Sequence, residues 1–197
     1  MRFFIFSYIL FTYSFILSCN EDLGSIVVSP NRSVVELDKV GSSVHIITKE
    51  QINKSASTTT SGVLQEFGGF SVSTKGNKGS DPSYFNRGLA RKYIRVLIDG
   101  IDLSDITAPG EEPIYIDNIS LTNTESIEIL NGSQGTLYGS NAIGGVISIN
   151  SAKPVNPGLE GNTYVEAGSY GSIKTSETLK FLNNKYSFSL NLDGERS

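Results

Sequence analysis

Five glycines between positions 132 and 145 have the most distinctive spacing in the chain, and glycines at such density can cradle a phosphate with backbone N–H groups. They are Gly132, Gly135, Gly139, Gly144 and Gly145. A phosphate loop also needs a Lys followed by Ser or Thr, and no positive charge lies between Asn131 and Val146. The spacing also fails the G-x-G-x-x-G pattern of a dinucleotide site. Both kinds of nucleotide site are therefore excluded for this run.

Four acidic side chains in and beside the segment 103–113 are the next candidates, because carboxylate oxygens ligate hard cations. They are Asp102, Asp105, Glu111 and Glu112. Their spacing matches no EF-hand loop, so a solvated acidic loop is the preferred interpretation and no metal site is predicted. The lone His45 lies in an apolar run, which favours a strand residue over a metal ligand. Arg87 and Asp99 have no accompanying nucleophile arrangement, so no catalytic residue, cofactor or enzymatic activity is predicted.

Two strands must hold the glycine-rich run in place. Apolar and polar residues alternate over 126–131, and an apolar run covers 145–150, so the pattern predicts strand, compact turn and strand. Leu137, Tyr138 and Ile143 are expected to give the turn an apolar body. On spacing alone, a tight turn in a small β-rich domain would be the default interpretation.

The sequence of this run resembles the signature that ends the plug domain of TonB-dependent outer-membrane receptors, especially their vitamin B12 transporter-like branch. It reads Gly-Thr-Leu-Tyr-Gly-Ser-Asn-Ala-Ile-Gly-Gly-Val-Ile-Ser-Ile over 135–149. Segment 85–88 is similar to the family's Ile-Arg-Gly element, and 95–100 to its Val-Leu-Ile-Asp-Gly strand and turn. The structural motif implied by the resemblance comprises Arg87, Gly88, Asp99, Gly100, Gly132, Leu137, Tyr138, Gly139, Gly144 and Gly145.

Arg87 and Asp99 are interpreted as structural ionic or turn residues, and Asp99-Gly100 is a hairpin signal in its own right. The chain departs from the family where Asn131-Gly132-Ser133 replaces Arg-Gly-Pro, which removes a cation, and where Gly68 replaces a Pro.

The chain has 197 residues and a net charge of −4, with scattered Lys and Arg, so no nucleic-acid partner is predicted. Residues 1–19 combine Arg2 with an apolar run too short to span a membrane comfortably, which predicts a signal peptide. Residues 16–19 also resemble a lipoprotein box that would lipidate Cys19. Lipoprotein processing and ordinary cleavage both stay open, and an uncleaved anchor ranks third.

An N-terminal arm is predicted over residues 20–40. Its short β-branched run can add as a strand to another protein's sheet edge. The resemblance implies that this run is the TonB box, formed by Ser25, Ile26, Val27, Val28 and Ser29.

A plug domain is predicted over residues 41–153. A strand over 44–47 leads into a capping box at 48–51, and a polar linker over 55–61 precedes a helix over 62–67. Two surface loops are predicted over 71–84 and 103–113. The resemblance implies that they touch substrate through Lys75, Asn77, Ser80, Tyr84, Ser104, Asp105, Thr107 and Glu111, with Tyr84 available for stacking.

A Pro/Gly hinge over 153–158 precedes strands predicted near 163–168, 172–182 and 186–193. Membrane barrels need at least about eight strands, and plugged transporters about 22, so these three cannot close. The predicted fold is α+β: a small mixed plug domain with short helices and a sheet, then over 160–197 the first antiparallel strands of an incomplete transmembrane β-barrel.

The resemblance implies the N-terminal fragment of a receptor in the outer membrane of a Gram-negative bacterium. Such receptors take up a scarce nutrient, here cobalamin or a ferric siderophore, with energy from a TonB-type periplasmic protein. The competing interpretation is a free-standing periplasmic or lipid-anchored plug-like module for binding or signalling.

Overall fold

The computed structural model describes residues 26–27, 35–36, 43–74, 81–104, 113 and 115–196. Within these ranges the fold is α+β, with short helices and four separate sheets, so the predicted class is confirmed. The strands are β1 (Ile26–Val27), β2 (Val35–Glu36), β3 (Ser43–Thr48), β4 (Ser71–Ser73), β5 (Ser83–Asn86), β6 (Leu89–Ala90), β7 (Ile94–Ile98), β8 (Ile101–Asp102), β9 (Thr124–Asn131), β10 (Gly145–Ser151), β11 (Gly158–Ala167), β12 (Ile173–Leu182) and β13 (Ser187–Arg196). The α-helices are α1 (Lys49–Lys54), α2 (Thr60–Phe67) and α3 (Gly135–Tyr138), and single 3₁₀ turns cover Arg91–Tyr93, Ile116–Asn118 and Ser169–Gly171.

A five-stranded central sheet, in the order β3-β9-β10-β7-β8, organises the first half of the fold. β10 is antiparallel to β9 and parallel to β7, so Ile147 lies between Ile129 and Val96. β-Branched side chains on one face of these strands are fully buried with α2 and Tyr84. Burial of this face supplies the main hydrophobic stabilisation of the domain.

The predicted strand, turn and strand around the glycine run are confirmed, but the turn is more ordered than expected because it contains α3. Its apolar body is also smaller than predicted. Tyr138 is 8% exposed, whereas Leu137 and Ile143 are 43% and 51% exposed. Tyr138 therefore packs on the second face of the central sheet, and the other two side chains lie largely outside it.

Two tight hairpins contain the motif residues next to glycine. Arg87 and Gly88 connect β5 to β6, and Asp99 and Gly100 connect β7 to β8. All four have φ between 48° and 83°, and positive φ at both central residues is the mark of a type I′ turn. The predicted hairpin at Asp99-Gly100 is confirmed.

Asn131, one of the residues that differ from the resembled motif, is hydrogen-bonded to Asn86. The buried Asn86 side-chain amide donates to Asn131 Oδ1 and to the Gly144 carbonyl, both at 3.0 Å. The Asn86 amide thus joins the β5–β6 hairpin to the end of β9 and to the glycine run.

The capping box at the start of α1 is confirmed. Thr48 Oγ1 accepts from the Gln51 N–H, and Gln51 Oε1 accepts from the Thr48 N–H at 2.9 Å. The linker expected over 55–61 was too long, because α2 begins at Thr60 with Thr59 as its N-cap. Thr60 is buried and its hydroxyl donates to the Ile119 carbonyl, so tertiary contacts extend the helix beyond its apolar pattern.

The prediction of a surface loop over all of 71–84 is wrong. Residues 71–73 form β4 and 83–86 form β5, and these strands pair with each other. Only the middle of the predicted loop, residues 75–80, lies outside the described residues.

The last three strands form a separate antiparallel sheet, β11-β12-β13, called here the C-terminal sheet. The register places its exposed apolar side chains on one face: Leu159, Val165, Ile173, Leu179, Phe181, Phe188, Leu190 and Leu192. The other face carries polar side chains, of which Ser176 and Thr178 are buried. The predicted alternation is therefore present, with the polar face turned towards the rest of the protein.

None of the helices in the described part of the chain has the length and hydropathy of a membrane span.

Replacing Gly145 with Ala is expected to lower the free energy of unfolding by about 3 kcal/mol. Gly145 has φ +125°, and an added Cβ would lie 2.3 Å from the Leu130 carbonyl oxygen of the paired strand. Gly132→Ala is the matched control, since Gly132 has φ +93° with no atom within 4 Å of the added Cβ, so its cost is about 1 kcal/mol. Urea unfolding of the purified chain, followed by circular dichroism, measures both, and equal losses would contradict the steric argument.

Candidate functional site

The predicted arm is described only at two short strands. β1 pairs antiparallel with β2, with Ile26 opposite Glu36 and Val27 opposite Val35. The other proposed members of the TonB box (Ser25, Val28 and Ser29) and the lipidation candidate Cys19 lie outside the described residues. Their roles stay predictions.

Most of the predicted substrate-contacting residues also lie outside the described ranges: Lys75, Asn77, Ser80, Asp105, Thr107 and Glu111. Tyr84 is a correction, because it belongs to β5 and is 1% exposed. Its ring packs near Phe70, with the centroids 6.4 Å apart. It therefore fills the core and is not available for stacking on a ligand.

The first predicted loop is closed at its base by an ion pair. The Arg91 guanidinium contacts the Asp81 carboxylate, and both side chains are largely buried. The loop ends are also joined by the pairing of Ser73 with Ser83. The described residues on either side of 75–80 are thus fixed to each other and to Arg91.

The second predicted loop is closed in a similar way. The buried Arg95 lies 3.3 Å from Asp102 Oδ2 and also donates to Ser104 Oγ. Asp102 Oδ1 in turn accepts from the Ser104 N–H and hydroxyl at 2.9 and 2.7 Å, and Ser104 bridges to Pro113. The Ser104 side chain therefore holds the loop base as well as lying beside the predicted substrate surface.

Neither of these arginines was predicted from the sequence to hold a loop base in place. Arg91 and Arg95 are four residues apart and each contacts an aspartate near the end of a different loop. The available signal was two arginines four residues apart, the second inside the apolar run 94–98, with Asp81 and Asp102 at the loop ends. Both loop bases therefore attach to the segment 91–95.

A second set of contacts joins the segment 120–124 to the C-terminal sheet. Ser120 and Thr122 hydroxyls donate to Asp193 Oδ1 at 2.9 and 3.2 Å, and Thr122 Oγ1 lies 2.9 Å from Ser176 Oγ. We call these four residues the polar seam. The period-two polar face over 174–182 was the sequence signal for it, although its partner segment could not be predicted.

Lys49 lies beside the polar seam. Its ammonium donates to the carbonyl oxygens of Thr122 at 2.8 Å and Thr124 at 2.6 Å. Burial lowers the pKa of Lys49 below its ordinary value, with Glu125 opposing that shift and Lys180 adding to it. The geometry is that of a half-buried cation that ties the start of α1 to the segment 120–124.

Comparison with known proteins identifies the family. The family described as TonB-dependent Receptor Plug Domain matches residues 36–146, which is more than half of the chain. The chain belongs to the TonB-dependent receptor plug domain family. The predicted resemblance is therefore confirmed.

Relatives of this plug chain include vitamin B12 transporters. The vitamin B12 transporter BtuB of Vibrio vulnificus is 35% identical over 125 residues, which are 64% of this chain and 20% of the relative. BtuB of Vibrio cholerae is 32% identical with the same coverage. The plug chain spans about a fifth of the length of the curated relatives it matches.

Solved structures of two receptors share the plug fold. The ferripyoverdine receptor of the outer membrane of Pseudomonas aeruginosa has a TM-score of 0.63 at 18% identity, covering 82% of this chain and 21% of that chain. The ferric yersiniabactin uptake receptor FyuA from Yersinia pestis has a TM-score of 0.56 at 22% identity, covering 77% and 24%. At these sequence identities, the similarity shows that the fold is shared.

Replacing Asp193 with Ala is expected to raise amide hydrogen exchange in the segment 120–124 by about fivefold, since an exposed carboxylate that accepts two hydroxyls is worth about 1 kcal/mol. Glu177→Ala is the matched control, because Glu177 is an exposed carboxylate on the opposite face of the same sheet. Mass-spectrometric exchange measures both variants. Identical exchange in the two variants would show that the polar seam does not hold the segment.

Proposed function

We propose that this plug chain is the N-terminal part of an outer-membrane receptor that takes up a scarce nutrient, cobalamin or a ferric siderophore, with energy from a TonB-type periplasmic protein. The observation that carries the proposal is the family match over 36–146 together with relatives named as vitamin B12 transporters. The structural neighbours include receptors named for ferric siderophores. These relatives favour a receptor over a free-standing binding module.

The mechanism begins with substrate held by the two loops of the plug. Lys75, Asn77 and Ser80 in the first loop, and Ser104, Asp105, Thr107 and Glu111 in the second, are the proposed contacts. The Arg91–Asp81 and Arg95–Asp102 pairs support this arrangement because they attach both loop bases to the segment 91–95. Polar side chains on loops held by a rigid sheet suit a hydrophilic ligand.

The arm supplies the contact to the energised partner. Residues 25–29 precede the plug, and residues 26–27 adopt the extended conformation that strand addition requires. Main-chain hydrogen bonds from such a strand give affinity for a sheet edge of the partner. Tension applied there reaches the plug through β3, which is the first strand of the central sheet along the chain.

The proposed domain boundaries are a signal peptide over 1–19, an arm over 20–40, the plug over 41–153 and the first wall strands over 160–197. The two faces of the C-terminal sheet support the last assignment. Its outward apolar face suits lipid, and its polar face contacts the plug. The proposed location is the outer membrane of a Gram-negative bacterium, and the lipid-compatible apolar face supports it.

Titration of the full-length receptor with cobalamin and with ferric chelates tests the proposed substrate class. Saturable binding of one class is expected because the proposed loop contacts are hydrogen-bonding side chains. Isothermal calorimetry in detergent measures it. The absence of saturable binding for either class would contradict the proposal.

Val27→Pro in the full-length receptor is expected to abolish energised uptake and to leave substrate binding unchanged, because proline removes a backbone donor from the arm strand. Val27→Thr is the matched control, since it keeps the N–H and the β-branch. Uptake of labelled substrate by cells and equilibrium binding to their membranes are the two measurements. Undiminished uptake by the proline variant would remove the arm from the mechanism.

A further inference from the structure

In the proposed mechanism, tension from the arm acts first on β3 and then on Lys49, which follows β3 along the chain. β3 is an edge strand among the described strands of the central sheet, and its pairing there is with β9. Thr48, the last residue of β3, is the N-cap of α1, and Lys49 is the first residue of that helix. Any displacement of β3 away from β9 therefore moves the Lys49 backbone directly.

Lys49 connects this junction to the C-terminal sheet through the segment 120–124. Its ammonium holds the Thr122 and Thr124 carbonyls, and the Thr122 side chain contacts Ser176 and Asp193. Lys54, at the other end of α1, has a 76% exposed side chain whose ion pair is with Glu50 on the same helix. The two lysines thus differ in the element to which each is bound.

Two of the cavities that adjoin Lys49 also contact the C-terminal sheet, and both have mixed polar and apolar linings. One, of about 660 Å³, lies against the 55–58 linker and β11, and the other, of about 500 Å³, lies against Asn123 and β12. Lys49, Thr122 and Asn162 line both. Charged side chains of both signs border these spaces: Glu125, Glu160, Glu166, Lys174 and Lys180. Water and hydrophilic solutes can form hydrogen bonds with these charged groups.

We propose that Lys49 is the tie between the arm-bearing strand and the segment 120–124, and that its withdrawal joins the two cavities into one hydrophilic passage along β11. The inference deepens the proposed uptake function and rests on it. Lys49 is a positioning residue here, because it acts by holding Thr122 and Thr124 in place. The solute class is small, polar and hydrogen-bonding.

A purely structural role would predict a different outcome on replacement. If Lys49 only satisfied two carbonyl groups, its loss would lower the stability of the plug without opening a path. If it is the tie, truncation at this position opens the passage while the central sheet stays intact. The measurement must therefore report permeation and folding separately.

The test uses the full-length receptor in planar bilayers and liposomes, with Lys49→Ala and Lys54→Ala as matched variants. Without the energised partner, Lys49→Ala is expected to pass ions and a small sugar at least about tenfold faster than the unsubstituted receptor, since two charge-assisted hydrogen bonds are lost. Lys54→Ala is expected to match the unsubstituted receptor. Lys49→Arg, which keeps the donors, is expected to restore the closed state.

Amide exchange in β9 and β10 provides the folding readout, and it is expected to be unchanged in Lys49→Ala. The proposal would be contradicted if Lys49→Ala passed solutes no faster than Lys54→Ala. It would also be contradicted if faster permeation came with a loss of amide protection throughout the plug. Energised uptake by the unsubstituted receptor is measured in parallel. If the unsubstituted receptor shows no energised uptake, the proposed function is wrong. If its uptake is normal but Lys49→Ala does not change permeation, only the present inference is wrong.

Discussion

The pairing of β10 with both β9 and β7 is the constraint on which the other features depend. Isoleucines and valines from the three strands share one fully buried face. The second face is covered in part by Tyr138 and Ala142 from the glycine run. Gly145 makes the close approach to Leu130 possible at the start of β10. Because this sheet is fixed, the hairpin turns, the loop bases and the segment 120–124 have a rigid framework from which to act.

Features that depend on neighbouring residues could be predicted from the sequence. The capping box at Thr48 needs only a hydroxyl and a Gln three residues apart, and the Asp99-Gly100 hairpin needs two residues that tolerate positive φ. The alternation in β12 and β13 likewise reports a two-faced sheet directly. The family resemblance added the connection between these local pieces, which propensity alone does not specify.

Features set by distant contacts could not be predicted in this way. Tyr84 follows a polar, turn-rich segment, yet pairing with β4 draws it into the core. Arg95 becomes a loop support because Asp102 and Ser104 return beside it, and the role of Lys49 depends on carbonyl groups more than 70 residues away. The spacing of nearby residues contains no information about these distant partners. The predicted site residues therefore differ from the side chains that hold the loop bases in the structure.

The parallel pairing of β10 with β7 has a consequence for biogenesis. The two strands are joined by a long connection that includes β9, so the sheet cannot close until synthesis has passed residue 145. Pairings between distant segments form slowly, so the pairing of β10 with β7 is expected to be a slow step in folding of the central sheet. Until β10 is in place, the edge of β7 that it covers has no partner from β9, so formation of β10 completes the central layer.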